Sequence, residues 1–212
     1  MQPKRNRNIM NKSILAIAMM LMAVLPTAAF TGSKSNKVKD MENKKTLVVF
    51  FSRAGENYAV GNIKKGNTHI VAEMIAEETG ATLFQIEPLK AYPEDYTKCT
   101  EVAKEEVESK ARPAIKGDVA VEDYGIIFIG YPNWWGDAPM PVYTFIEKHN
   151  WQGKTVIPFC THEGSGLGDT ESKLRKVCEG ATFRKGLAVR GATAQKSQDQ
   201  TRKAVTDWLK KN

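Results

Sequence analysis

Ile126-Ile127-Phe128-Ile129-Gly130-Tyr131-Pro132-Asn133-Trp134-Trp135-Gly136 is an apolar run that ends in two adjacent tryptophans between a proline and a glycine. Its first five residues read as a strand buried on both faces, the pattern of a parallel sheet covered by helices. Two neighbouring tryptophans are costly to leave in water, and they cannot both point into one core. In open α/β sheets ligands bind outside the carboxyl ends of the strands, and rigid aromatics placed there suit a flat ligand. The alternative reading of the pair is a hydrophobic corner under a loop.

Outward from this stretch the chain alternates. Thr46 to Phe51 reads as a first buried strand, and apolar spacing over 68–79, ended by Gly80, predicts a helix. A strand over 82–86 and a charged amphipathic helix over 94–110 follow, the latter closed by Arg112-Pro113. After the central strand at 125–130 come a short helix at 141–149 and a fourth strand at 155–160. A helix over about 168–178, a fifth strand over 183–189 and a final helix over 198–209 complete the series. Five strands alternating with five helices predict an α/β fold, a doubly wound parallel sheet with helices on both faces. Right-handed crossovers then bring the loops after strands 1, 3 and 4 to one rim.

The formal charge of +7 is misleading. Residues 1–45 hold nine Lys or Arg and two acids, which accounts for all of it; of the chain's 31 basic and 24 acidic residues, 22 of each remain in 46–212. With a neutral body, nucleic-acid binding loses its main support, since a basic face is the expected electrostatic footprint. The leader has the order of a secretory signal: Lys4, Arg5, Arg7 and Lys12, then an apolar run from Ile14 to Leu25, then Pro26-Thr27-Ala28-Ala29. The run is shorter than the roughly 20 residues a membrane span needs. Residues 1–29 are therefore expected to be a signal peptide cut after Ala29, with Met10 an alternative start and an uncleaved anchor the competing reading. Export without stable membrane insertion follows, to a periplasmic or other extracytoplasmic location. Residues 30–45 read as a flexible linker and 46–212 as one domain. Cys99, Cys160 and Cys178 match no zinc spacing and read as small core or surface residues. His69, His149 and His162 form no metal motif, so no metal site is expected.

Three loops carry the chemistry. After the first strand, Ser52-Arg53-Ala54-Gly55 leads to a helix opening at Gly66-Asn67-Thr68. Hydroxyls, small residues and backbone amides at a helix start form an anion cradle, although plain N-capping by Asn67 or Thr68 needs no ligand. Neither a Walker lysine signature nor GxGxxG is present, which disfavours a nucleoside triphosphate or a dinucleotide. The second loop is Pro132-Asn133-Trp134-Trp135-Gly136. The third, Thr161-His162-Glu163-Gly164-Ser165-Gly166-Leu167-Gly168, has three glycines in five residues, suited to close backbone approach or to an ordinary surface turn. Together they describe a site for a flat heterocycle bearing one phosphate.

With these motifs the chain resembles the flavodoxin-like family, written Ser-Arg-x-Gly-Asn-Thr, Pro-x-Trp-Trp-Gly and Thr-x-x-Gly-Ser-Gly, over about residues 46–211. The resemblance implies strand order 2-1-3-4-5 and flavin mononucleotide (FMN) as ligand. It implies that Ser52, Arg53, Ala54, Asn67 and Thr68 hold the phosphate. Pro132, Asn133, Trp134, Trp135 and Gly136 would line one side of the isoalloxazine, and Thr161, His162, Glu163, Gly164 and Ser165 the other. The departure is an eleven-residue insertion, 56–66, between the family's Gly and Asn-Thr. It reads either as a segment whose Tyr58 folds over the flavin or as an inert excursion.

No acid–base dyad or activated nucleophile stands in the loops. The expected function is an exported FMN redox protein, a one-electron shuttle to a partner protein or an NAD(P)H-dependent reductase of small, quinone-type acceptors. The neutral body favours the second, since acidic carriers suit docking to basic partners. A non-catalytic flavin-binding scaffold is the alternative, and a hydrolase is disfavoured by the absence of a GxSxG elbow.

Overall fold

A computed structural model describes residues 45–212; the signal-peptide reading of 1–29 and all but the last residue of the linker reading lie outside the described residues. Strand β1 (Thr46–Phe50) leads into a hairpin of β2 (Gly55–Asn57) and β3 (Gly61–Ile63), then helix α1 (Asn67–Thr79). Next come β4 (Thr82–Gln85), the short β5 (Glu87–Pro88), α2 (Tyr96–Ser109) and β6 (Ile115–Lys116). The central β7 (Ile126–Pro132), α3 (Met140–Ile146), β8 (Thr155–His162) and α4 (Thr170–Val177) follow. The chain closes with β9 (Thr182–Phe183), β10 (Leu187–Arg190), α5 (Gly191–Lys196) and α6 (Gln198–Leu209).

The main sheet runs β10-β8-β7-β1-β4, all parallel, which is the expected 2-1-3-4-5 order. Alternation along the central strands divides the core in two. Leu47, Val49, Ile127, Ile129 and Tyr131 face α3 and α4 through Val142, Phe145, Ile146 and Leu174. Val48, Phe50, Ile126, Phe128 and Phe159 face α1 and α6 through Ile70, Val71, Met74, Ile75, Val205 and Trp208. Burial on both faces explains why these strands read as unbroken apolar runs.

One expectation is corrected. The fifth strand is not continuous over 183–189: Val156 pairs with Phe183 but Phe159 with Leu187, so one extra residue bulges from the outer strand opposite Pro158. Pro158 has no N–H to offer the ladder there. The bulge carbonyl of Lys185 instead accepts from the Trp208 indole at 2.8 Å, and the Gly186 amide donates to Glu171 at 2.9 Å. The insertion, for its part, is an ordered hairpin with antiparallel pairs Gly55–Ile63 and Asn57–Gly61.

The central strands also run further than expected. Tyr131 and Pro132 stay paired with Cys160 and Thr161, and the Asn133 amide donates to the Thr161 carbonyl at 2.8 Å. The tryptophan loop and the glycine-rich loop therefore leave the sheet side by side. Close packing beneath them depends on Gly130, where a Cβ would lie 2.1 Å from the Phe159 ring. Gly130→Ala is expected to cost about 1–3 kcal/mol in urea unfolding, partly recovered when Phe159→Leu is added. A variant as stable as the unaltered chain contradicts this packing.

Candidate functional site

The rim loops meet α2 around a cleft of about 290 Å³. Its wall on the β7 side is made by Pro132, Asn133, Trp134 and Trp135, and its floor edge by Thr161, His162 and Glu163. Arg53 and Asn67 stand toward the start of α1, and Asn57, Tyr58, Tyr96, Cys99, Thr100 and Ala103 supply the remaining wall.

The two tryptophans part company at a tight turn. Trp134 and Asp137 exchange both backbone hydrogen bonds, at 2.9 and 3.0 Å, around Trp135 (φ +54°) and Gly136 (φ +75°). Two positive φ values match the I′ class of two-residue turn, which a bulky residue enters at a cost of about 1–2 kcal/mol. Trp134 turns inward and packs edge-on against Phe51 and Tyr92, with ring centroids 5.3 and 5.2 Å away. Trp135 turns outward, 57% exposed, and reaches α2, where its indole N–H donates to the Thr100 carbonyl at 3.0 Å. Lys104 lies 5.7 Å from its ring centre.

Asp137 holds this turn. It is buried, and its Oδ1 accepts from the Ala138 amide at 2.8 Å and the Tyr143 hydroxyl at 2.6 Å. Its Oδ2 accepts from Lys173 Nζ at 2.8 Å. Burial, reinforced by the Asp137 carboxylate, pushes the Tyr143 hydroxyl well above the usual phenol value, so it stays a donor.

At the first loop, the Ser52 hydroxyl accepts from the His69 amide at 3.1 Å. Gly66 makes this possible, since a Cβ there would lie 2.2 Å from Ser52 Oγ and 2.5 Å from the Arg53 carbonyl. Thr68 is buried and its hydroxyl shares a 2.7 Å hydrogen bond with that of Thr161, joining the first and third loops. Asn67 Oδ1 accepts from Gln195 Nε2 at 2.9 Å.

Several expected contributors are committed elsewhere. The Arg53 guanidinium donates to the carbonyls of Glu56, Pro93 and Glu94, so it pins the hairpin to the start of α2. Glu163 Oε1 accepts from the Ala192 amide at 2.7 Å and thereby caps α5. Asn133 Nδ2 donates to the Gly166 carbonyl at 3.0 Å and ties the second loop to the third. Ser52, Ala54, Thr68, Gly136, Gly164 and Ser165 do not line the cleft; Ser52 and Ala54 border a neighbouring groove with Gly66 and His69.

His162 is the titratable imidazole of the cleft. Its Nδ1 accepts from the Gly164 amide at 2.9 Å, which leaves the proton of the neutral ring on Nε2. Burial, opposed by Glu163, lowers its pKa below the ordinary value, so the ring is neutral at pH 7 and donates from Nε2. The thiols offer no nucleophile. All three are free and buried, and burial raises Cys99 and takes Cys160 and Cys178 to about 12. Among the described residues, no group of three His, Cys, Asp or Glu is placed to hold a metal ion.

Sequence reasoning missed the α2 wall. Tyr96, Cys99, Thr100 and Ala103 read as the ordinary pattern of an amphipathic helix, and nothing in their spacing distinguishes a face turned to a cleft from one turned to a core.

A flavodoxin family model matches residues 45–212. No curated protein matches. Among solved structures, a provisionally assigned flavoprotein from Bacteroides eggerthii DSM 20697 is 32% identical with a TM-score of 0.63, covering 79% of this chain and 96% of its own. A similar protein from Bacteroides uniformis ATCC 8492 is also 32% identical, with a TM-score of 0.61 and coverage of 78% and 97%. A flavoprotein in complex with FMN from Lactobacillus acidophilus NCFM is 23% identical, with a TM-score of 0.55 and coverage of 73% and 99%, a likeness of fold. The 2-1-3-4-5 sheet, the three rim loops and a match across the whole described body agree, and the chain belongs to the flavodoxin family.

Proposed function

We propose that this chain is an FMN-binding redox protein that works outside the cytoplasm and reduces small planar acceptors. The observation that carries the reading is one cleft whose lining runs from Asn67, the first residue of α1, to the aromatic wall of Pro132, Trp134 and Trp135.

The donor set fits the group. Helix α1 has 13 residues and no acidic side chain in its first turn, so its positive end is uncompensated. Ser52 accepts from His69 and keeps its own hydroxyl proton to give; of the Thr68–Thr161 pair, one hydroxyl proton is likewise left over. With Asn67 and the backbone of Arg53 and Ala54, these are neutral donors suited to a phosphate. The Arg53 side chain acts only through the loop it anchors. Pro132, Asn133, Trp134, Trp135 and Gly136 would flank one side of the flavin ring. Thr161, His162, Glu163, Gly164 and Ser165 would meet the other, where His162 Nε2–H would be a donor available to a ring carbonyl. When bound, FMN supplies one- and two-electron transfer. The chain's residues position it, exclude water and hold the His162 proton on Nε2.

The flavoprotein relatives and the FMN complex of the Lactobacillus acidophilus protein support the cofactor. Equal numbers of acidic and basic residues in 46–212 support a small acceptor over a docked carrier protein. Among the described residues, no helix is long and apolar enough to cross a membrane. The basic, apolar and small-residue order of 1–29 supports export. Exported material is expected to begin after Ala29, and an N-terminal sequence beginning before residue 25 contradicts that assignment. For the cofactor, Trp135→Ala removes an exposed ring without opening the core. It is expected to weaken FMN binding by about 0.5–1.5 kcal/mol, a roughly two- to tenfold rise in Kd, and to change the flavin absorption envelope. Unaltered affinity and spectrum would show that the flavin does not lie against this loop.

A further inference from the structure

Five large apolar or aromatic side chains are exposed among the described residues, and three of them, Tyr58, Tyr96 and Trp135, border the one cleft. Tyr58 and Tyr96 come from different elements, the β2–β3 turn and the first residue of α2, yet their rings stack with centroids 6.1 Å apart and planes 28° from parallel. Tyr58 remains 64% exposed. Aromatic surface of this kind, left in water at the mouth of a pocket, marks a place where another apolar surface docks.

The arrangement is held from below. Arg53 ties the hairpin base to the carbonyls of Pro93 and Glu94, and Glu56 Oε2 accepts from the Tyr96 amide at 3.0 Å. Asn57 Nδ2 donates to the Gly55 carbonyl at 3.1 Å and closes the start of the turn. The tip passes through Ala59 at φ +64° and Gly61 at φ +71°. Every tether acts on the base of the hairpin or on α2, and the outward face of Tyr58 takes part in none.

The chemistry of the cleft narrows the occupant. Its charged lining residues are Arg53 and Glu163, and both are committed to backbone partners; His162 is neutral. What remains for a ligand at the mouth is aromatic faces and hydroxyl or N–H donors. An uncharged flat molecule with carbonyl acceptors finds rings to stack on and donors to meet.

Building on the flavin reading, we propose that the Tyr58–Tyr96 pair is the docking wall for a second ligand, a planar, uncharged, carbonyl-bearing compound of one or two fused rings. The hairpin is then a specificity element: it adds a stacking surface to the cleft that Trp135 also lines and narrows the mouth against bulkier partners.

The test uses the FMN-loaded chain, with oxidised 1,4-naphthoquinone as probe and affinity measured by titration calorimetry. Naphthoquinone is expected to bind the unaltered protein. Tyr58→Ala should raise its Kd by about fivefold or more, while Tyr58→Phe, which keeps the ring, should stay within about twofold. Because Tyr58 lines the same cleft at its exposed mouth, the rise in naphthoquinone Kd in Tyr58→Ala should exceed any rise in FMN Kd by about threefold or more. Naphthoquinone that fails to bind, or binds Tyr58→Ala as tightly as the unaltered chain, overturns the docking wall and leaves the flavin reading standing. An equal loss of FMN and naphthoquinone affinity in Tyr58→Ala assigns Tyr58 to the flavin enclosure and also overturns the proposal. Failure of the unaltered chain to take up FMN overturns both readings together.

Discussion

The Asp137 carboxylate is the interaction on which the candidate site depends. It is buried and takes hydrogen bonds from Ala138, Tyr143 and Lys173, and so fixes the residue whose backbone closes the two-residue turn that sends Trp134 inward and Trp135 outward. A bulky residue with φ +54° persists only where its surroundings over-determine it. Here the surroundings are the Lys173 ammonium from α4, the Tyr143 hydroxyl from α3, and the Thr100 carbonyl on α2 that receives the Trp135 indole. The Lys173 side chain is 38% exposed, so solvent weakens its pairing with Asp137, and the Ala138 and Tyr143 hydrogen bonds to the buried carboxylate share in locking the turn to the helices beneath it.

A second set of contacts binds the rim into one unit. The Thr68 and Thr161 hydroxyls join the α1 start to the third loop, Asn133 joins the second loop to the third, and Glu163 joins the third to α5. Each of these side chains has a structural partner, yet hydroxyl protons at Ser52 and at the Thr68–Thr161 pair remain to be given. The rim is preorganised by its own hydrogen bonds, which lowers the entropy lost when a ligand is held.

The sheet was legible because its strands are buried on both faces, and continuous runs such as Ile126 to Ile129 have few alternative readings. The rim motifs were legible because Trp134-Trp135 and the spaced glycines are chemically unusual where they stand. What escaped depends on partners distant in sequence. Helix α5 opens on Gly191 and is capped by Glu163, 29 positions away from Ala192, so no local pattern announces it. The bulge in the outer strand answers to Pro158 on its neighbour. The roles of Arg53 and Glu163 shifted for the same reason: a charge in a ligand loop looks like a ligand contact until its backbone partners are seen. The hairpin was visible only as an insertion, and Tyr58 gained meaning from Tyr96, 38 residues on.

The central claim is that the helix start and the aromatic wall act on one molecule that carries both a phosphate and a flat ring. Titration of the full chain with FMN and, separately, with riboflavin tests it most directly, because the two ligands share the ring and differ in the phosphate. The account predicts one FMN per chain and riboflavin binding weaker by about tenfold or more, the loss of about 1.4 kcal/mol or more from the α1 start, where Asn67 lines the cleft. Equal affinity for the two, or no saturable binding of either, would contradict it.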